Sequence, residues 1–198
     1  HKLIHWIRYK YDDFKFKLTI GTKQSSKGGN FLSGDEYAKL AETYYIPYEV
    51  KQQLTVTTTK GSKSLPAYLS ITPELMKLLG YILSEGHVNV ATSSRAIAII
   101  NENPDIQADI EHCVRTVFND RTTVLYTSNL KEKQKGRLLN GSVYVALIQS
   151  VLCAKTNAGI IDIPDFVMNA SRELKAYFLQ GLFDGDGHYG EKRITFCT

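Results

Sequence analysis

Leu78-Leu79-Gly80-Tyr81-Ile82-Leu83-Ser84-Glu85-Gly86 governs the reading of this chain, because Leu179-Gln180-Gly181-Leu182-Phe183-Asp184-Gly185-Asp186-Gly187 repeats its pattern. Each stretch is an apolar helical run with an inset glycine, closed by a carboxylate and a second glycine. Glu85 and Asp186 stand 101 residues apart, so the pattern marks two related structural units. Glycine inside a helix costs roughly 1 kcal/mol relative to alanine. Its presence at matching places, Gly80 and Gly181, therefore predicts two helices packed side by side at close range. Such packing brings Glu85 and Asp186 together at converging carboxyl-terminal ends. Two acids placed there repel each other and face the negative ends of their own helix dipoles, so the arrangement calls for a cation. A hard divalent ion, Mg2+ or Mn2+, suits oxygen ligands of this kind. The chemistry it supports is attack of water on a phosphodiester.

The flanking sequence gives the first unit its elements. Thr72 before Pro73 and Glu74 predicts a helix start, with a side-chain cap, proline at the first helical position and an acid near the positive end. Strand character follows at 87–92 and 95–101, then a helix from Pro104 to about Phe118, strands near 121–127 and 135–140, and a helix from Ser142 to Cys153. A second copy begins at Ser171, with Glu173 near its positive end, passes through Asp186 and enters a strand at Arg193–Cys197. The expected class is α/β (α+β), an αββαββα repeat with an antiparallel saddle sheet and a truncated second repeat.

The chain has 198 residues, 43% hydrophobic and 22% charged, enough for one large domain or two small ones. Of its 24 Lys and Arg, 11 fall in the first 64 residues, against 6 of its 20 Asp and Glu. That asymmetry suggests a polyanionic partner, most simply nucleic acid, although a solvated basic surface explains charge alone equally well. Phe14, Phe16, Leu18 and Ile20 alternate with Lys15, Lys17 and Thr19, giving a strand with one apolar and one cationic face. Trp6, Tyr9, Tyr11, Phe14 and Phe16 read as a small core. Ser33 or Asp35 is a candidate cap for a helix running to about Tyr45 and stopped by Pro47, and the polar run Thr55–Ser64 reads as a linker. The expected organisation is a basic accessory module at 1–64, a first repeat at 65–170 and the start of a second at 171–198. Cys113, Cys153 and Cys197 lack disulfide or zinc spacing. No membrane-spanning run or signal-peptide layout is present, so the expected compartment is cytoplasmic, or nuclear or organellar in a eukaryote.

The two nonapeptides, their spacing, the element order between them and the Ile163-Pro164 pair resemble the LAGLIDADG homing endonucleases, in particular the dodecapeptide endonuclease domains of inteins. The resemblance covers roughly residues 70–198. It implies a saddle of antiparallel strands on double-stranded DNA and cleavage of both strands at a long recognition site. The active form it implies is a monomer of two pseudo-symmetric repeats, or a dimer of the chain as it stands. Glu85 and Asp186 then occupy the metal-binding acid positions, and Ser84 and Gly185 supply backbone carbonyl ligands. Leu83 stands where the motif has its first aspartate, which Asp184 keeps. Family members of the intein type commonly carry an active-site lysine two residues before the Ile-Pro pair. Isoleucine, Ile161, fills that place here, leaving Lys155 as the substitute candidate.

Candidate DNA contacts are Lys15 and Lys17, Arg95 and Arg121 at strand starts, and the cluster Lys131, Lys133, Lys135 and Arg137 at a strand edge. His87 and His188 follow the motif glycines at equivalent places and read as turn residues. Three functions compete: a metal-dependent homing endonuclease, a DNA-binding protein on the same scaffold that does not cut, favoured by Ile161, and an RNA-splicing maturase. The splicing residues of an intein are not found between His1 and Thr198.

Overall fold

In the computed structural model the described residues are 14–18, 31–33, 39, 42–58, 63–89, 95–127, 130–151, 163–190 and 193–196. They form a mixed α/β structure whose sheets are all antiparallel. The strands are β1 (Phe14–Leu18), β2 (Phe31–Ser33), β3 (Leu54–Thr58), β4 (Ser64–Pro66), β5 (Gly86–Asn89), β6 (Ala96–Ile100), β7 (Thr123–Thr127), β8 (Leu130–Asn140), β9 (Gly187–Gly190) and β10 (Arg193–Phe196). The helices are α1 (Tyr48–Gln53), α2 (Pro73–Glu85), α3 (Pro104–Phe118), α4 (Ser142–Val151), α5 (Asp165–Met168) and α6 (Arg172–Asp186). Three sheets result, in the orders β2-β1-β3-β4, β5-β6-β8-β7 and β10-β9.

The expected order of helix, strand, strand, helix, strand, strand, helix is the order observed from α2 to α4. Thr72 Oγ1 accepts from the Leu75 amide at 3.3 Å, capping α2, and Ser171 Oγ does the same for Leu174 on α6. Such a cap stabilises a helix by about 1 kcal/mol. Asn103 caps α3, which closes on Asn119 in the left-handed region at φ 52°, a conformation asparagine tolerates at a helix end. Ile97, Ile99 and Leu139 bury one face of the second sheet against Leu78, Leu79, Ile82 and Leu83 of α2 and Ile110, Val114 and Phe118 of α3. Ala96, Ala98, Ile100 and Leu138 occupy the opposite face by alternation along paired strands.

The stretch expected to be a linker departs from that reading. Residues 54–58 are strand β3, paired on both sides by β1 and β4, with Leu54, Val56 and Thr58 buried in alternation. The period of two is present in the sequence, but threonine at every second place disguises a half-buried strand as a polar connector. The helix expected to run to about Tyr45 and stop at Pro47 is seen at residues 39, 42 and 43, which are helical and end before Pro47, while its start past Ser33 lies outside the described residues; Pro47 is also the N-cap of a further helix, α1. Leu54, Val56, Leu65 and Ala67 join the same hydrophobic cluster as α2. Polar contacts add to this junction. Lys63 Nζ pairs with Asp120 at 2.7 Å and lies over the Tyr144 ring, the Tyr144 hydroxyl donates to Asp120 at 2.7 Å, and Thr58 and Ser142 share a short hydroxyl contact.

Candidate metal centre at the helix pair

Helices α2 and α6 pack along their lengths through their glycines. A Cβ at Gly80 would lie 2.4 Å from the Phe178 carbonyl oxygen, and one at Gly181 would lie 2.1 Å from that of Lys77. Lys77 and Phe178 are themselves 101 residues apart, so the two contacts are reciprocal about a pseudo-twofold axis. Backbone meets backbone, and any side chain at either glycine would force the helices apart.

The carboxyl-terminal ends converge as expected. A Cβ at Gly185 would stand 2.1 Å from Ser84 Oγ and 3.0 Å from Glu85 Cγ, so the final turn of α6 lies directly against the Glu85 side chain. Glu85 and Asp186, the last residues of their helices, are both partly buried. Ser84 is buried and its hydroxyl donates back to the Gly80 carbonyl at 3.0 Å. The donor set offered here is two carboxylates and main-chain carbonyls. Among the described residues no group of three or more His, Cys, Asp or Glu could hold a metal ion, so the protein side chains of any metal site here are limited to these two acids.

Three residues near the acids carry roles that the repeat pattern alone does not reveal. Asn101, just past β6, donates its amide to Glu85 Oε1 at 3.4 Å. Its orientation is fixed independently: Oδ1 accepts from the Asn103 amide at 3.0 Å, leaving the NH2 group turned toward Glu85. The sequence signal is Asn-x-Asn-Pro before a helix, which reads first as a turn. The other two are Tyr81 and Asp109. The Tyr81 hydroxyl donates to Asp109 Oδ2 at 2.7 Å and reaches Asp184 Oδ2 at 3.3 Å, while Lys77 Nζ pairs with Asp109 at 3.0 Å. Burial pushes the Tyr81 phenol up, and the two neighbouring carboxylates push it further, so it stays protonated. Burial alone would depress the Lys77 amine, but Asp109 outweighs it and holds the amine above its ordinary range. The Cys113 thiol is raised to about 12 by burial and then by Asp109, as suits an inert core residue.

The expected DNA contacts fall in different settings. Arg95 and Arg121 are exposed, ahead of β6 and β7 respectively. Lys131, Lys133 and Lys135 are alternate positions of β8, in the part that extends beyond its pairing with β6. Arg137 departs from the expectation. Its register partner is Ile99, a core residue, so it lies on the helix-facing side of the sheet, and its Nε is buried with no hydrogen-bond partner among the described residues. The strand is longer than the sequence suggested, and the face assignment follows from its register with β6. Lys15 and Lys17 are on β1, between β2 and β3. Lys155 and Ile161 lie outside the described residues, as does His188 beyond its place in β9. His87 is exposed in β5, a strand position rather than a turn. Pro164 caps α5, whose Val167 is buried, so the Ile-Pro pair opens the short helix that delivers the chain to Ser171.

Fold and site together define a mixed α/β chain in which two repeated helices, packed through their glycines, set Glu85 against the last turn of α6, which ends in Asp186. No protein-family model matches the chain. It is 25% identical over 142 residues to an uncharacterized protein of Methanocaldococcus jannaschii, covering 71% of this chain and 16% of that protein. Similarity to a DNA polymerase of Thermococcus kodakarensis is 24% over 165 residues, covering 77% and 9%. A glutamine–fructose-6-phosphate aminotransferase of M. jannaschii is 28% identical over 127 residues, covering 59% and 10%. The chain thus spans less than a fifth of the length of these relatives. No helix among the described residues is long and apolar enough to cross a membrane.

Proposed function

We propose that this chain is the catalytic part of a metal-dependent, site-specific DNA endonuclease of the LAGLIDADG kind, carried as an insert within host proteins. The observation that carries the reading is the glycine-mediated contact of α2 and α6, which sets Glu85 against the turn bearing Asp186. A helix pair could be packed by many sequences; ending both members in acids at converging ends has an electrostatic cost that a divalent cation offsets. The relatives support the insert. A DNA polymerase and an aminotransferase share no chemistry by name, yet each contains a segment similar to this one that makes up about a tenth of its length.

Glu85 and Asp186 are the ligands the chain offers, with the Ser84 and Gly185 carbonyls beside them. Asn101 donates to one oxygen of the Glu85 carboxylate, at 3.4 Å. A bound Mg2+ or Mn2+ supplies acidification of water and neutralisation of charge on the leaving oxygen. Water adds to phosphorus, the bond to the leaving oxygen breaks, and the products are a phosphate monoester and a hydroxyl end. The exposed Arg95 and Arg121 and the extended lysine-bearing part of β8 are the groups that neutralise backbone phosphates in this reading.

The test is selection from a pool of randomised duplexes with Mg2+ or Mn2+. The wild-type protein is expected to cut a subset, and Glu85→Ala and Asp186→Ala each to lose at least about a hundredfold in rate, the scale at which a metal ligand matters. Undiminished cutting by both variants overturns the reading. Isoleucine at 161 favours a second one, a scaffold that binds DNA without cleaving it; retention of specific duplexes with no cleavage in either metal selects it.

A further inference from the structure

Tyr81 and Asp184 stand where the two repeats differ. A shift of 101 residues makes Leu182 the counterpart of Tyr81 and Leu83 that of Asp184, so the pair that is polar on one side of the axis is apolar on the other. The leucine at 83 and the tyrosine at 81 are therefore complementary departures: one copy supplies the hydroxyl, the other keeps the acid it touches. The single phenol proton is shared between Asp109 Oδ2 at 2.7 Å and Asp184 Oδ2 at 3.3 Å, and Lys77 pairs with Asp109, tying α3 into the same contact. The Tyr81 ring is buried, which leaves its hydroxyl little freedom to seek other partners.

The glycines fix how close α2 and α6 approach, but they present no side chain to resist rotation of one helix about its axis. Asp184 and Asp186 project about 160° apart around α6. A rotation that takes Asp184 from Tyr81 turns Asp186 through the same angle. Tyr81 also lies one turn before Glu85 on the same face of α2. From this geometry we infer that Tyr81 is a positioning residue: its hydroxyl fixes the rotational register of α6 against α2 and thereby sets how Asp186 and Glu85 face a common divalent ion. The inference rests on the metal-binding reading above, and its test separates the two.

The first measurement is metal-free. Amide hydrogen exchange across Leu182–Asp186 should quicken by roughly tenfold in Tyr81→Phe, which keeps the ring and removes only the hydroxyl; unchanged rates overturn the inference. The second is a Mn2+ titration followed by electron paramagnetic resonance. Tyr81→Phe and Asp184→Ala should each weaken binding roughly three- to tenfold, and Asp184→Asn, which keeps an acceptor for the hydroxyl, should bind like the wild type. Asp184→Ala binding as tightly as the wild type overturns the inference. A wild-type protein that binds no Mn2+ overturns the metal-binding reading instead, and the exchange measurement still decides the role of Tyr81.

Discussion

Leu78 and Ile82 on α2 are 1% and 2% exposed, whereas Leu179 and Phe183, their counterparts on α6, are 46% and 39% exposed. Both helices carry the same pattern, the same inset glycine and the same kind of cap. Among the described residues the difference is what covers them: a four-stranded sheet and α3 lie over α2, while a two-stranded hairpin, β9 and β10, follows α6. Local sequence makes each helix, but burial comes from the partner layer. The largest effect expected from this contrast is on stability. Leu78→Ala should cost about 2–5 kcal/mol, the range for emptying a packed core site, while Leu179→Ala should stay within about 0.5 kcal/mol. Urea midpoints of the two variants check this, and equal losses would mean that the outer face of α6 is covered in solution.

The contact between the helices offers a finer comparison. At Gly80 the obstructing atoms are backbone, so Gly80→Ala should cost about 1–3 kcal/mol despite the gain in helix propensity. At Gly185 the nearest obstructions are Ser84 Oγ at 2.1 Å and Ser84 Cβ at 2.7 Å, side-chain atoms that a glycine at 84 would remove. Gly185→Ala should be destabilising, and adding Ser84→Gly should recover much of the loss, whereas it should do nothing for Gly80→Ala. Equilibrium unfolding of the single and double variants measures that coupling.

How far the sequence foretold this arrangement depends on the kind of signal each part carries. The α2–α4 order was legible because Thr72-Pro73, Asn103-Pro104 and the apolar periods of α2 and α3 are local. Helix pairing was legible because glycine in two equivalent apolar runs has a local cost that needs a reason. Strand β3 was not, since its threonines face a half-buried pleat whose partners, β1 and β4, are distant or short. The side of the sheet taken by Arg137 was hidden for a related reason, because it depends on register with Ile99. Tyr81 with Asp109 and Asp184 was beyond reach, as its three members come from α2, α3 and α6 and no spacing links them.

The first unit's advantage over the second extends to the N-terminal sheet, and the Lys63, Asp120 and Tyr144 contact tests that extension with the smallest expected effect. Burial works to raise the Asp120 carboxyl, but hydrogen bonds from Lys63, Tyr144 and the Arg121 amide together hold it below the usual carboxylate range. A depressed folded value means that stabilisation is present above the unfolded value, about 3.9, and is lost as pH falls through the lower folded one. Asp120→Asn should thus cost about 1 kcal/mol at pH 7, a modest figure because both partners are partly solvated. The gap between variant and wild type should close progressively as the pH is taken below about 4. Urea unfolding at several acid pH values reads it directly. A gap that stayed constant into strong acid would show that Asp120 contributes by shape and neutral hydrogen bonding, and that the charge on Lys63 plays no part in holding the two sheets together.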